Sequence, residues 1–269
     1  MRTFFLSLAA LLLAAAPAFG IIYHADDNMD HPLPKAPLSR WTAAPGRERI
    51  TLAVPGAMLR GYRYRGGDAS APVLVLFAGS GNLIARHDGA ARGLARHAAD
   101  VIEYDYRGYG FSGGTAHFDD LRRDAVRIFD ATQAQYPKHR IVVLGYSMGT
   151  DVAEYVALHR HPAGLILAAP WTDMLAVLRY EDPKHTYRMT AAAAADDDEI
   201  AMVRRIYVPL LVFQGTKDDA IPPTQGPRLE QLAASSDKRF VPIVGAKHDW
   251  LLENPQSQAA VAAFLGARP

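Results

Sequence analysis

"VLGYSMGTDVAEY", Val143–Tyr155, joins an apolar run to a helix-like pattern through a serine flanked by glycines. An apolar run stops at Gly145-Tyr146-Ser147-Met148-Gly149, and a helix-like pattern from Met148 to His161 begins at once. Glycines on both sides of Ser147 let a strand turn sharply into a helix, leaving the serine at a strained apex with its hydroxyl exposed. The positive end of the following helix points at that position. An ordinary strand-to-helix turn is the competing reading of these five residues, and the other strand ends decide between the two.

On both sides of this stretch, the apolar runs "PVLVLFAG", "VIEYDY", "IVVLGY", "GLILAA", "PLLVFQG" and "RFVPIVG" alternate with helix-period segments such as Leu121, Ala125, Ile128, Phe129 and Thr132. Runs apolar on both faces and separated by helices predict an α/β fold, a mainly parallel sheet with helices on both faces. "RITLAV" and "LRGYRYR" flank Pro55-Gly56 and predict an antiparallel hairpin at its start. No internal repeat is visible, and "AAAAADDDE", Ala191–Glu199, is the one low-complexity piece.

The 269 residues, 49% hydrophobic and 21% charged, suit one catalytic domain around one core. The formal charge of +1 is 29 minus 28, and without a basic stripe interleaved with aromatics nucleic acid is excluded as an expected partner. With no cysteine in the chain, disulfides, thiolate metal sites, a cysteine nucleophile and a lipidated N-terminal cysteine are all ruled out.

The start, "MRTFFLSLAALLLAAAPAFGIIY", has a short positive head, an apolar stretch from Phe4 to Ala16 and small residues around Pro17. This is the layout of a secretory signal with an A-x-A cleavage site. Apolar character continuing through Ile21, Ile22 and Tyr23 also allows an uncleaved anchor, since about 20 apolar residues span a bilayer. A buried N-terminal helix is the third reading. The first two place the remainder outside the cytoplasm, periplasmic or secreted, and leave membrane association through this segment open. Residues 1–20 are therefore assigned to a leader or anchor, 21–46 to an extended arm rich in Pro, Asp and His, and 47–269 to the catalytic domain.

Ligands of such a sheet sit at the carboxyl ends of the strands. A serine there needs a base to remove its proton. Of ten histidines, His159, His161, His97 and His139 fall near helix ends, His87, His117 and His185 in loops or helix starts, and His24 and His31 on the arm. His248 differs, because it follows the last strand in "VPIVGAKHDWLL", where Gly245 and Ala246 leave room for a loop to return over the sheet. The base needs a carboxylate, and "LLVFQGTKDDAIPP" supplies Asp218 and Asp219 beyond the preceding strand. The backbone N–H of Met148 and one from the loop after "VLVLFAGSGN", assigned to Ser80, would hold the oxyanion.

"FAGSGN", "YDYRGYGFSGG", "GYSMGT", "QGTKDDAIPP" and "VGAKHDW" together resemble the alpha/beta-hydrolase superfamily. More narrowly, they are similar to its single-domain esterase, lipase and acyl-thioesterase branch, related to the serine aminopeptidase group, from roughly Arg47 to Leu265. The resemblance implies Ser147 as nucleophile, Asp218 as triad acid, His248 as base and a loop at Asp105–Ser112 close to the active site. Its Gly-Thr-x-Asp pattern selects Asp218 over Asp219, which is then expected to bond local amides before "IPP". One departure is Ala78-Gly79 where the family begins its oxyanion loop with His-Gly.

The short cap, 170–205, has no strand character and carries Trp171, Leu175 and Tyr187, with Leu178, Tyr180 and Met189, as an apolar wall for an acyl group. Packing onto the core is the plainer reading of the same residues. Asp196, Asp197, Asp198 and Glu199 lack the spacing of a calcium loop and read as a solvated helix start. The expectation is an exported serine hydrolase that cleaves small-molecule carboxylic esters or thioesters through an acyl-enzyme and uses no cofactor or metal. A peptidase of the same fold and a catalytically silent binding protein are the alternatives.

Overall fold

The computed structural model describes residues 21–23, 35–80, 84, 88–184, 187–189 and 199–266, the side chains of 21–23 and 187–189 excepted. The strands are β1 (Ile21–Tyr23), β2 (Arg47–Val54), β3 (Ala57–Arg65), β4 (Val73–Phe77), β5 (Asp100–Tyr104), β6 (Ile141–Tyr146), β7 (Gly164–Ala168), β8 (Tyr187–Met189), β9 (Leu210–Gly215) and β10 (Lys238–Ile243). The helices are α1 (Asp88–Ala95), α2 (Phe118–Gln135), α3 (Gly149–Arg160), α4 (Met174–Glu181), α5 (Glu199–Val203), α6 (Gln225–Leu232) and α7 (Pro255–Gly266).

Eight strands form one sheet in the order β10-β9-β7-β6-β4-β5-β3-β2. The six from β10 to β5 run parallel, and β3 joins antiparallel to both β5 and β2. The hairpin expected around Pro55-Gly56 is present, with Gly56 at φ 76° in a turn position that favours glycine. Every residue of β4, β6, β7 and β9 is buried, as strands covered on both faces must be. At the edge, β2 instead alternates, with Arg49, Thr51 and Ala53 outward and Ile50, Leu52 and Val54 inward. Pro242 sits in the opposite edge strand, where its missing N–H leaves no ladder bond unmade.

Helices α1 and α7 pack together over one part of the sheet, while α2, α3, α5 and α6 form a second packed group. In α2 the expected face, Leu121, Ala125, Ile128, Phe129 and Thr132, is the buried one. Helix α3 is buried on most of its sides, because neighbours cover it: Val152, Ala153, Val156 and Ala157 are fully buried, and so are the polar Thr150, Asp151 and Glu154. Its last turn is closed by His161 in the left-handed conformation at φ 49°. The chain crosses from β5 past β4 to β6, so the strand order reverses beside β4 and opens a crevice at the carboxyl ends.

Two expectations for the periphery are corrected. The cap contains a strand, β8, which pairs in parallel with β1: Ile21 with Tyr187, Ile22 with Arg188 and Tyr23 with Met189. A three-residue strand whose partner lies far away in the chain leaves no local periodic signal. Glu199 does begin a helix, but it is 1% exposed rather than solvated, because α5 packs against α3. Asp196, Asp197 and Asp198 lie outside the described residues, as do His24, His31, His87 and His185 and the whole of 1–20.

Candidate active site

Ser147 follows β6 at φ 53°, a backbone conformation costly for any residue with a Cβ. Close packing enforces it. A Cβ on Gly145 would lie 2.2 Å from the Gly149 carbonyl oxygen, and one on Gly149 would lie 2.1 Å from that of Phe77 and 2.7 Å from that of Ala78. Only hydrogen at both positions lets α3 start directly against the end of β4. The Ser147 N–H donates to Ala168 O at 2.9 Å, and Thr150 returns both its N–H and its Oγ1–H to Ser147 O at 2.8 and 2.7 Å. The apex is therefore tied to β7 on one side and to the first turn of α3 on the other.

His248 arrives from the loop after β10. Gly245, at φ 73°, turns that loop, and its N–H donates to Thr216 Oγ1 at 2.9 Å. Lys217 N–H donates to Ala246 O at 3.0 Å, so the loops after β9 and β10 are sewn together. Tyr146 holds the histidine from below, its hydroxyl donating to His248 O at 2.8 Å and its ring lying 5.1 Å from the imidazole. These contacts place Nε2 at 3.1 Å from Ser147 Oγ and Nδ1 at 3.0 and 3.1 Å from the two oxygens of Asp218. A carboxylate has no proton to donate, so Nδ1 carries the hydrogen and Nε2 presents its lone pair to the serine.

Asp218 is 1% exposed, and every lone-pair direction is used. Oδ1 accepts from the N–H groups of Ala220 and Ile221 at 3.0 and 2.9 Å, and Oδ2 accepts from Gln214 Nε2 at 2.8 Å. The local amides assigned to Asp219 thus belong to Asp218. The chain bends back after Lys217, so one carboxylate meets both the turn and the histidine. Asp219 instead pairs with Lys247 Nζ at 3.0 Å and accepts from His248 N–H at 3.4 Å.

Burial alone would lower the His248 pKa. The hydrogen bond and charge of Asp218, joined by Asp249 and Glu181, outweigh it and hold the imidazole above its ordinary value. Glu181, at the end of α4, is pushed up to about 7 by burial and by Asp218, against the attraction of His248. Its neighbour Tyr180 donates its hydroxyl to Asp218 O at 2.9 Å, which anchors α4 beside the site.

Met148 is buried at the head of α3, and Ser80 lies half-buried just past β4, whose end Gly149 touches. Among the described residues nothing accepts a hydrogen bond from the Met148 or Ser80 N–H. Of the expected acyl wall, Trp171 is buried after β7 and Leu175 is half-buried on α4. The Tyr187 backbone lies in β8, and its side chain is outside the described residues.

Sequence reasoning missed Gln214, Tyr146 and Glu181. Gln214 was legible as the one polar side chain at the end of an otherwise apolar strand, "LLVFQG". Tyr146 stood beside the serine, but its contact with His248 spans 102 residues. Nothing local marks Glu181. Among the described residues no group of three His, Asp or Glu side chains is arranged to hold a metal ion, and no helix is long and apolar enough to cross a membrane.

Residues 68–194 match the family model described as "Serine aminopeptidase, S33". The uncharacterized protein Rv2307c of Mycobacterium tuberculosis is 30% identical over 228 residues, 82% of this chain and 79% of that protein. The lysophosphatidylserine lipase ABHD12 of Xenopus tropicalis is 28% identical over 198 residues, 62% of this chain and 50% of that protein. The esterase Pf2001 of Pyrococcus furiosus shares the fold, with a TM-score of 0.70 at 17% identity over 87% of this chain and 98% of its own. With the sheet order, the helical layers and the strand-end residues described above, these similarities define a hydrolase fold with esterase and lipase relatives. The chain belongs to the alpha/beta-hydrolase superfamily.

Proposed function

We propose that the protein is a serine hydrolase that cleaves carboxylic esters or thioesters through an acyl-enzyme, with Ser147 as nucleophile, His248 as base and Asp218 as its carboxylate partner. The observation that carries this reading is the continuous relay from Asp218 to His248 Nδ1 at 3.0 Å and from Nε2 to Ser147 Oγ at 3.1 Å. His248 takes the hydroxyl proton as Oγ attacks the acyl carbon, then gives it to the leaving group. Water enters, loses a proton to His248 and releases the acid. Asp218 stabilises the imidazolium in both halves. The Met148 and Ser80 N–H groups receive the oxyanion, each worth about 2.7 to 4 kcal/mol of barrier lowering. Trp171, buried after β7, and Leu175, half-buried on α4, are assigned to the acyl side of the pocket.

The esterase and lipase names among the similar proteins support an ester or thioester over an amide bond. The apolar start and "APAFG" support export, periplasmic or secreted. The test is labelling of the purified protein with a fluorophosphonate, followed by a panel varying acyl length and ester, thioester or amide linkage. Labelling at Ser147, its loss in Ser147→Ala and turnover of esters are expected. A wild-type protein that neither labels nor hydrolyses any member would overturn the reading in favour of a silent binding fold.

A further inference from the structure

The segment "YDYRGYGFSGG", Tyr104–Gly114, is built around one carboxylate that takes no part in the proton relay. Asp105 is 2% exposed at the end of β5. Its Oδ2 accepts from Phe111 N–H at 2.9 Å, and its Oδ1 accepts from Ile84 N–H at 3.0 Å, in the loop that follows β4. Gly110, at φ 45°, wraps the backbone around it so tightly that a Cβ there would lie 2.1 Å from the carboxylate. Ser112 Oγ donates to Asp105 O at 2.7 Å, and Arg107 clamps the segment to α2 through two 2.7 Å bonds to Asp124. The next residue makes the second link: Tyr106 donates its hydroxyl to Ala78 O at 2.8 Å. Burial holds that hydroxyl far above its ordinary pKa, so it remains a phenol and a donor.

Ala78 and Ile84 bracket Ser80. The two side chains therefore grip the loop on either side of the amide assigned to the oxyanion, from a segment that is itself pinned to α2 and β3. Resting on the catalytic reading above, we propose that Asp105 and Tyr106 are positioning residues for the oxyanion hole, fixing the backbone at Ile84 and Ala78 so that the Ser80 N–H meets the tetrahedral intermediate. Neither touches substrate. Their effect belongs to the transition state, so it falls on kcat and leaves ground-state binding alone.

The experiment compares wild type, Asp105→Asn, Tyr106→Phe and Ser80→Pro on one activated ester, at matched folded fractions. It adds affinity for a boronic acid that forms a tetrahedral adduct and for the product acid. Tyr106→Phe deletes one hydrogen bond and keeps the ring, so kcat should fall about fivefold. Asp105→Asn should approach about a hundredfold, the lower range for loss of an oxyanion donor. In both, KM and product-acid affinity should stay within about twofold while boronate affinity falls in step with kcat. In the Ser80→Pro background, which has already lost the amide hydrogen, adding either substitution should cost less than about threefold. Unchanged kcat in both variants, or losses that multiply in full with Ser80→Pro, would overturn the proposal. If Asp105→Asn does not fold, Tyr106→Phe alone decides it. A wild type that fails to label with fluorophosphonate sinks the catalytic reading and this one together; an active wild type with indifferent variants sinks only this one.

Discussion

Replacing Asp218 by Asn tests the relay at its most buried member. The carboxylate receives four hydrogens, from His248 Nδ1, Gln214 Nε2, Ala220 N and Ile221 N. Asn keeps one oxygen, which the Ala220 and Ile221 amides retain, and turns an NH₂ toward His248 and Gln214. Gln214 can rotate its amide, because its Oε1 has no partner among the described residues and becomes the acceptor for the new NH₂. The fold therefore survives at a cost of about 1–3 kcal/mol. The imidazole has no such remedy. Facing an NH₂, Nδ1 is driven to the acceptor tautomer, the proton moves to Nε2, and Ser147 loses its base. Turnover should drop by about 10⁴, roughly 5.4 kcal/mol of barrier. Asp219 serves as the control, because its bond to Lys247 joins side chains 56% and 64% exposed and such pairs contribute about 0–1 kcal/mol. Asp219→Asn should stay within about threefold of wild type. Initial rates on a p-nitrophenyl ester, corrected for folded fraction by circular dichroism, measure both. Near-normal turnover in Asp218→Asn with a severe loss in Asp219→Asn would mean that Asp219, not Asp218, serves the imidazole.

Activity should rise with pH as His248 gives up its proton, and because its pKa is held above 6.5 the midpoint of kcat/KM should lie above that value. Glu181→Gln removes a charge that holds the imidazole up, so the midpoint should move to lower pH; an upward shift in the profile contradicts the assigned geometry. Gly149→Ala places a methyl 2.1 Å from the Phe77 carbonyl oxygen, and thermal melts should show a loss of more than about 1–3 kcal/mol, the usual cost of overpacking. Glu154 is fully buried without a hydrogen-bond partner among the described residues, and burial and Asp151 raise its pKa well above 4.5. A raised folded-state pKa contributes stability that is complete below 4.5 and lost as pH climbs, so Glu154→Met should raise Tm at pH 8 more than at about pH 4.5. Intact-mass analysis of exported protein should show loss of the first 18 or 20 residues; cleavage after Ala18 removes only Arg2 among charged residues, leaving 28 minus 28.

Much of the molecule was legible in the chain itself. Strands buried on both faces must be apolar throughout, so β4, β6, β7 and β9 announced a covered parallel sheet, and the glycines around Ser147 announced the turn between β6 and α3. Residues at strand ends share one edge of such a sheet by topology alone, which is why Ser147, His248 and the pair Asp218-Asp219 could be grouped without coordinates, the Gly-Thr-x-Asp pattern of the resembling family selecting Asp218. What topology cannot supply is direction and partnership across long separations. Whether Asp218 or Asp219 meets the imidazole depends on how the chain bends after Lys217, and the bend gave the local amides to Asp218, against expectation. The β1–β8 pairing, the Tyr146 bond to His248 O and the burial of Glu199 against α3 join segments that carry no mark of one another. Periodicity records which face of an element is buried, because that depends on each residue's own polarity; which neighbour covers that face is set by how distant segments pack, and no single segment encodes it.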